Sequence, residues 1–529
     1  MTKSVEEKFK KLDEISHVLK RPGRYIGSVS LHTAETYVID EVNKKMITEE
    51  ITWCPALQKI FDEVISNSVD FSKTDDGKHV STIKVEIDKT TGEISVYDDG
   101  GIVVVKNKDH DQYIPEMIFE LRSGSNFNDE DDSVLTGQNG EGAALTSIFS
   151  KTFHVQTSDG KNQFDQTHSS NSREKTVPKI KTSDKHFTKI TFTPDYPIFK
   201  MDKLEEGDYK KLVKRVYDVA GLNPNLKIYL NGNQIKIKSF KDYINFYTEE
   251  FFFDENKHWK VGISKSDNGF QHVSFVNGTE TSIGGFHVNY LSDQITSKIR
   301  EYIKKKNKIE IKPSEIKNHL NLFIDATIIR PRYSSQTKED LITEIKNFGT
   351  SFEVTDKFIS QVIKSPIIQS ILDWAEAKAK AEEMRLLREL GKDIDKGNPR
   401  RVDKFSDAME DVDRHLCLLA ICEGDSARKT IHEARGKNPY IGSFALKGKP
   451  LNVMDADLKK VIGGRDKDDV GNNEIKNILK ITGLKIGVPV KAEADKEWIE
   501  VEIDGNKQLL NLADMVFLNN KWQYVKDLV

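Results

Sequence analysis

Residues 57–71, LQKIFDEVISNSVDF, constrain the fold of this chain more than any other stretch. Leu57, Ile60, Phe61, Val64, Ile65 and Val69 recur at helical spacing and predict an amphipathic helix. Glu63 and Asn67 stand four residues apart, with Asp70 three further on, so all three project on one side of it. A carboxylate followed one turn later by a carboxamide suits hydrolysis. The carboxylate polarises water, and the amide oxygen can hold Mg2+. The same spacing also describes an ordinary polar helix face, so the pair needs company before it implies chemistry.

That company follows in order. GEISVYDDGGIVV reads as a strand through Ile94 and Val96 that stops at Asp98-Asp99-Gly100-Gly101. A carboxylate at a strand end can accept a hydrogen bond from an adenine amino group, and bare glycines let the backbone approach a base. In TGQNGEGAALTSIFS, Gly137, Gly140 and Gly142 expose backbone N–H groups just before a helix predicted from Ala143, the arrangement that cradles phosphates. It is not a Walker loop, having no Gly-Lys-Ser/Thr, and no strand directly precedes it as in a Rossmann turn. FTKITFTPD is an alternating strand with Thr188 near its start, within reach of a purine pocket.

The bulk numbers set the frame. A chain of 529 residues is too long for one core and predicts three or more domains. With 37% apolar and 31% charged residues it has a soluble globular composition, and no apolar run is long enough to span a bilayer. The charged N-terminus, MTKSVEEKFKKLDEIS, lacks the apolar core of a signal peptide. Cys54, Cys417 and Cys422 show no metal spacing and fit a reducing, intracellular compartment. A net charge of −4 excludes a uniformly basic nucleic-acid binder, so any DNA contact must come from local patches such as KIREYIKKKNKIEIK at 298–312.

The helix with Glu and Asn, the strand ending in Asp-Asp-Gly, the glycine loop and the threonine strand together resemble the GHKL-type (Bergerat) ATPase of gyrase, heat-shock chaperone, histidine kinase and MutL. By that analogy Glu63 is the general base, Asn67 a Mg2+ ligand and Asp98 the adenine reader, while Gly137, Gln138, Asn139, Gly140 and Gly142 wrap the phosphates. The intervening strings RPGRYIGSV, YIPEMIFELRSGSNF, GGFHVNY and IKPSEIKNHLNLFIDATIIRPRYSSQTKEDL resemble type IIA DNA topoisomerases from about residue 10 to about 485. Their flavour is eukaryotic-like, and within the family they are most similar to the large subunit of T-even-type bacteriophage enzymes. The resemblance implies that Ser125 and Asn126 contact the nucleotide and that Tyr25 reaches across a homodimer into the partner's ATP site. It also implies that Gln336 and Lys338 touch the γ-phosphate, a sensible place for a lysine. The chain departs from the family's Asp-x-Gly-x-Gly by one residue at DDGGIVV, and has Ala144 where a lysine often follows the glycine loop.

The implied fold class is α/β (α+β). A GHKL ATPase domain with an N-terminal arm spans 1–235 and a ribosomal-S5-like transducer spans 236–392, its long helical stretch divided at Pro366, with the second piece ending near Gly391. A linker follows at 393–410, then the first part of a TOPRIM domain at 411–485 and an extension at 486–529 with a hairpin turning at Asp504-Gly505. In LCLLAICEGDSA, Glu423 would coordinate Mg2+ and assist DNA cleavage. The family continues from NNEIKNILKITGL to an Asp-x-Asp-x-Asp triplet, whereas here KIGVPVKAEADKEW follows, so the remaining ligands and the nucleophilic tyrosine are expected on separate subunits. The expected whole is an ATP- and Mg2+-dependent dimer clamp that drives one DNA duplex through a break in another, in the cytoplasm of an infected bacterium. The competing readings are a non-cleaving GHKL clamp or chaperone-like ATPase, against which QTKED and EGDSA speak, and a tethering protein with a dead ATPase, against which Glu63 and Asn67 speak.

Overall fold

The computed structural model describes residues 12–121, 141–395, 398–409, 411–448, 472–484, 498–503, 506–511, 515–518 and 521–524. The chain forms two compact units, Met1–Leu372 and Asp373–Val529.

After short helices at Glu14–Lys20 and Pro22–Tyr25, the first unit forms an antiparallel hairpin, His32–Asp40 with Lys45–Trp53. Helix α1, Pro55–Ser72, follows directly. Pro55 at its first position loses no hydrogen bond there, because the first helical N–H groups have no intrahelical acceptor anyway. Its apolar residues Leu57, Ile60, Phe61, Val64, Ile65 and Val69 are all buried, as the spacing predicted.

These residues belong to a core covered by a nine-stranded sheet. Its strands are β1 (Thr82–Ile87), β2 (Ile94–Asp98), β3 (Ser150–Asp159), β4 (Asn162–Ser169), β5 (His186–Pro194), β6 (Lys227–Leu230) and β7 (Asn233–Ile235), in the order β7-β6-β1-β2-β5-β3-β4. Two short strands, Glu174–Lys175 and Lys179–Thr182, pair with β4. All pairings are antiparallel except β6 with β1. Two further helices matter for the site: α2, Gly142–Ile148, which starts one residue before the expected Ala143, and α3, Glu206–Leu222.

A second sheet has strands β8 (Phe252–Glu255), β9 (Trp259–Lys265), β10 (Gln271–Val276), β11 (Thr279–Glu280) and β13 (Leu320–Ala326), in the order β8-β9-β13-β10-β11. The expected NLFIDATII strand is its centre, antiparallel to β9 and parallel to β10. Two short strands, β12 (Gly284–Gly285) and β14 (Asp340–Leu341), pair in parallel beside it. Helix α4, Phe286–Asn307, buries Val288, Leu291, Ile295, Ile299 and Ile303 and carries Lys304, Lys305 and Lys306 in its exposed last turn. A helix over Asp356–Ile363 precedes α5, Pro366–Asp395. Pro366 thus divides the helical stretch as expected, but α5 continues four residues past Gly391.

In the second unit, β15 (Phe405–Ser406), β16 (Leu418–Glu423) and β17 (Ile441–Leu446) form a sheet ordered β15-β17-β16. Parallel β16 and β17 are linked through α6, Gly424–Arg435. Helix α7 spans Asn473–Thr482. The tail holds two antiparallel hairpins, Trp498–Ile503 with Asn506–Asn511 and Met515–Leu518 with Lys521–Tyr524. The proposed Asp504-Gly505 turn lies outside the described residues.

Candidate nucleotide site

The site grows from α1. Asn67 is exposed on it and Glu63, one turn earlier, is half-buried. The next residue after Asn67, Ser68, is buried and donates its hydroxyl to Asp98 Oδ2 at 2.7 Å. The Gly100 N–H donates to the other oxygen, Oδ1, at 3.0 Å. Burial nevertheless pushes the Asp98 carboxyl up to about 6, against the pull of these two donors. Thr188 on β5 stands directly opposite Asp98 in the strand register, and its hydroxyl lies 3.0 Å from that of Thr157 on β3. Asp98 and Thr188, chosen from separate strings, therefore share one rung of the sheet.

Glu63 is held on two sides. Lys59, one turn before it and buried, forms an ion pair with its Oε1. Gly142, the first residue of α2, lies against its Oε2, and a Cβ on that glycine would overlap the carboxylate oxygen. Gly142 thus serves the site by giving Glu63 room. Burial draws the Lys59 ammonium down, but the Glu63 and Asp62 carboxylates outweigh it and hold it above its usual range. Asp62 accepts from Arg215 Nε of α3 at 2.5 Å. Burial works to raise its carboxyl, but Arg215 and Lys59 keep it below the usual carboxylate range.

The second sheet adds a loop. β12 and β14 pair Gly284 with Asp340 and Gly285 with Leu341, and the Glu339 carbonyl accepts from the Ile283 N–H at 3.0 Å. These contacts hold SSQTKED against β12 and the residue before it. Lys338 takes a left-handed conformation, φ 61°, unusual for a residue with a side chain. Burial lowers its ammonium, and the nearby Lys59 lowers it further while Glu63, Asp62 and Asp70 oppose. Gln336 is half-buried two residues earlier. Thr337 packs on Gly27 of the RPGRYIGS string, where a Cβ would collide with its methyl group. Tyr25, two residues before Gly27, hydrogen-bonds His17 Nδ1 at 3.0 Å and packs on the core of its own chain.

Glu63, Asn67, Asp98, Gly142, Thr188 and Lys338 therefore belong to one region of the first unit. Ser125, Asn126, Gly137, Gln138, Asn139 and Gly140 lie outside the described residues. Glu423 belongs to the second unit, exposed at the end of β16, with Gly424 at φ +81° after it. Its neighbour Asp425 pairs with Lys404 at 2.8 Å. Sequence reasoning missed Lys59, Asp62, Ser68 and Arg215. Lys59 was findable, lying four residues before Glu63 on the same helical stripe. Arg215 was not, because 153 residues separate it from Asp62.

The residues present fit a magnesium nucleotide. A buried carboxyl supplies one end, the Glu63 carboxylate stands against the bare backbone of Gly142, and Lys338 brings positive charge. Among the described residues no three His, Cys, Asp or Glu side chains cluster as a metal site. Asn67, exposed one turn from Glu63, offers a single side-chain oxygen, which fits Mg2+, an ion that keeps waters and takes phosphate oxygens.

Comparison with known proteins agrees with this geometry. Residues 225–389 match the DNA gyrase B family. DNA topoisomerase 2 of Bombyx mori is 40% identical over 512 residues, covering 91% of this chain and 32% of that protein. The Drosophila melanogaster enzyme is 37% identical, covering 91% and 34%. The chain thus spans about a third of the length of these curated relatives. Among solved structures, the ATPase region of Saccharomyces cerevisiae topoisomerase II is 36% identical with a TM-score of 0.67, covering 70% of this chain and 100% of that one. The ATPase and transducer domains of DNA topoisomerase II from Balamuthia mandrillaris are 38% identical with a TM-score of 0.68, covering 72% and 100%. The GHKL-type ATPase and transducer fold is shared along the full length of both solved chains, and this chain belongs to the type IIA DNA topoisomerase family, in its ATPase region.

Proposed function

We propose that this chain is the ATP-hydrolysing part of a type II DNA topoisomerase, closing as a homodimer around a DNA duplex when ATP binds and reopening after hydrolysis. The observation that carries this reading is the Lys59–Glu63 ion pair on the hydrolytic helix, with the bare backbone of Gly142 against the same carboxylate and Lys338 of the second sheet's loop near enough to feel its charge. The Glu63 carboxylate takes a proton from the attacking water, whose oxygen bonds to the γ-phosphorus as the bond to the ADP oxygen breaks. Lys59 orients that carboxylate. Asp98 and Thr188 hold the adenine, Ser125 and Asn126 contact the nucleotide, Gly137, Gln138, Asn139, Gly140 and Gly142 wrap the phosphates, and Gln336 and Lys338 contact the γ-phosphate. Asn67 would hold Mg2+, which supplies charge neutralisation on the phosphates. Tyr25 would move from its own core to the partner's nucleotide on closure. Because Lys338 belongs to the second sheet's loop, a phosphate that draws it in also biases the arrangement of that sheet.

The test is ATP turnover by the purified chain. Glu63→Gln is expected to lower kcat by about 10² to 10⁴ while a fluorescent ATP analogue still binds. Turnover equal to the parent's would remove Glu63 from its role.

The finer reading extends to DNA cleavage. Glu423, at the end of a strand in a β-α-β unit, would hold Mg2+ as in a TOPRIM domain, with further acidic ligands brought by a separate subunit. Support comes from the sequence KIGVPVKAEADKEW, which stands where the family's acidic triplet is expected, as in the T-even-type phage enzymes that act in the host cytoplasm. Plasmid relaxation by this chain alone would overturn the split-site reading, whereas relaxation only after adding tyrosine-bearing and acidic-triplet chains supports it.

A further inference from the structure

Between the two sheets of the first unit lies a cluster of buried charges that the nucleotide chemistry does not use. Lys214, on α3, donates to Asp218 Oδ2 on its own helix and to Glu280 Oε1 on β11 of the second sheet, both at 2.8 Å. Lys214 and Asp218 are 2% and 1% exposed, so neither charge has water to fall back on. The Tyr243 hydroxyl donates to the other Asp218 oxygen at 2.7 Å. It can approach because Gly221, one turn along α3, leaves its ring space that a Cβ would occupy. The next residue after Lys214 is Arg215, which turns the other way and grips Asp62 of α1, with its Nη2 donating to Ser66. Lys211 stands buried beside Glu280. Three cations (Lys211, Lys214, Arg215) thus face three carboxylates (Asp62, Asp218, Glu280).

Glu280 is the one carboxylate in this balanced set that comes from the second sheet. If the second sheet shifts, Lys214 loses half its compensation, and a buried charge with a missing partner is strongly disfavoured. Two helical neighbours on α3 then carry the imbalance to Asp62, which directly precedes Glu63.

We propose that Glu280 is a positioning residue for ATP hydrolysis, acting through Lys214 and the Arg215–Asp62 pair to hold α1 with Glu63 in working register. The inference rests on the hydrolytic reading of Glu63. It makes the state of the second sheet felt at the water-activating carboxylate by a route independent of Lys338.

The test uses the full chain and steady-state ATP turnover. Glu280→Gln is expected to lower kcat on the order of tenfold with KM for ATP changed less than about twofold, and Glu280→Asp to recover most of the loss. Lys214→Met/Glu280→Gln removes one charge of each sign and keeps the cluster balanced, so it tests the link even where Glu280→Gln alone folds poorly. It leaves Asp218 with the Tyr243 hydroxyl as its donor, so its thermal midpoint should fall, and turnover read well below that midpoint should remain slow. In an Arg215→Lys background, Glu280→Gln should cost less than in the parent, because both act on one chain of contacts. Parent-like kcat in Glu280→Gln or in the balanced double variant, or additive losses with Arg215→Lys, would overturn the proposal. A parent chain that turns over ATP while Glu63→Gln does not, with Glu280→Gln unaffected, sinks this inference alone. Equal turnover by parent and Glu63→Gln sinks the reading beneath it as well.

Discussion

Asp98 answers to two opposed demands. Its carboxyl faces an adenine in the proposed reaction, yet it is 4% exposed and its proton is held up to about 6 from an ordinary 3.8. A carboxyl raised in this way binds its proton more tightly in the folded chain. Its contribution to stability is therefore complete below 3.8 and is lost as pH rises through about 6, a difference of about 3 kcal/mol. Asp98→Asn should accordingly be more stable than the parent by about 1–3 kcal/mol at pH 7.5, with the advantage vanishing near pH 4. The same variant should bind ATP at least about tenfold more weakly. Buried His168 and His287, pushed down to about 4 and about 3, lose stability in the opposite direction as pH falls below 6.5. The informative measurement is therefore parent against variant by urea denaturation at both pH values, and a variant less stable at pH 7.5 would refute the assignment. Asp62→Ala is a different case. It strands Arg215, which is 4% exposed and already has an Nη1 without a hydrogen-bond partner, and should cost about 3–5 kcal/mol. Asp98 was legible in the sequence because a strand ending in acid and glycine is a local pattern. Arg215 was not, because nothing local marks a buried arginine as the mate of an aspartate on a distant helix.

At the scale of elements, two glycines separate helix propensity from function. Alanine at Gly142, within a helix, would ordinarily favour α2 by up to about 1 kcal/mol. Here its Cβ would overlap Glu63, so Gly142→Ala should lower kcat at least about tenfold with little change in thermal midpoint, as read by ATP turnover and calorimetry. Gly285 sits at φ +123° with the Leu341 backbone against its Cα, so an alanine there is both strained and blocked. Gly285→Ala should part β12 from β14, withdraw Lys338 and slow hydrolysis while ADP affinity stays within about twofold of the parent's. An unchanged kcat would show that the loop's seat is not needed. Helix α1 was readable because its apolar stripe follows a strict period. The β12–β14 pair was not, since two rungs of parallel pairing leave no hydrophobic pattern.

At the scale of the molecule, the contacts divide after Leu372, inside α5, where Ile367, Ile368 and Ile371 are buried in the first unit. A fragment ending at Leu372 should therefore fold and turn over ATP within about twofold of the full chain, and failure to fold would show that the second unit completes its core. The order of motifs made the first unit's architecture legible. The charge link between its two sheets was hidden, because Lys214 and Glu280 stand 66 residues apart in a stretch that reads as ordinary surface polarity. The Gly284–Gly285 rungs that seat Lys338 end where α4 begins, and its 22 residues make a rod of about 33 Å. Val288 to Ile303 bury the helix along its length, so only a turn of the whole second-sheet layer about that seat moves it, and a turn of about ten degrees would swing Lys304, Lys305 and Lys306 by roughly 6 Å.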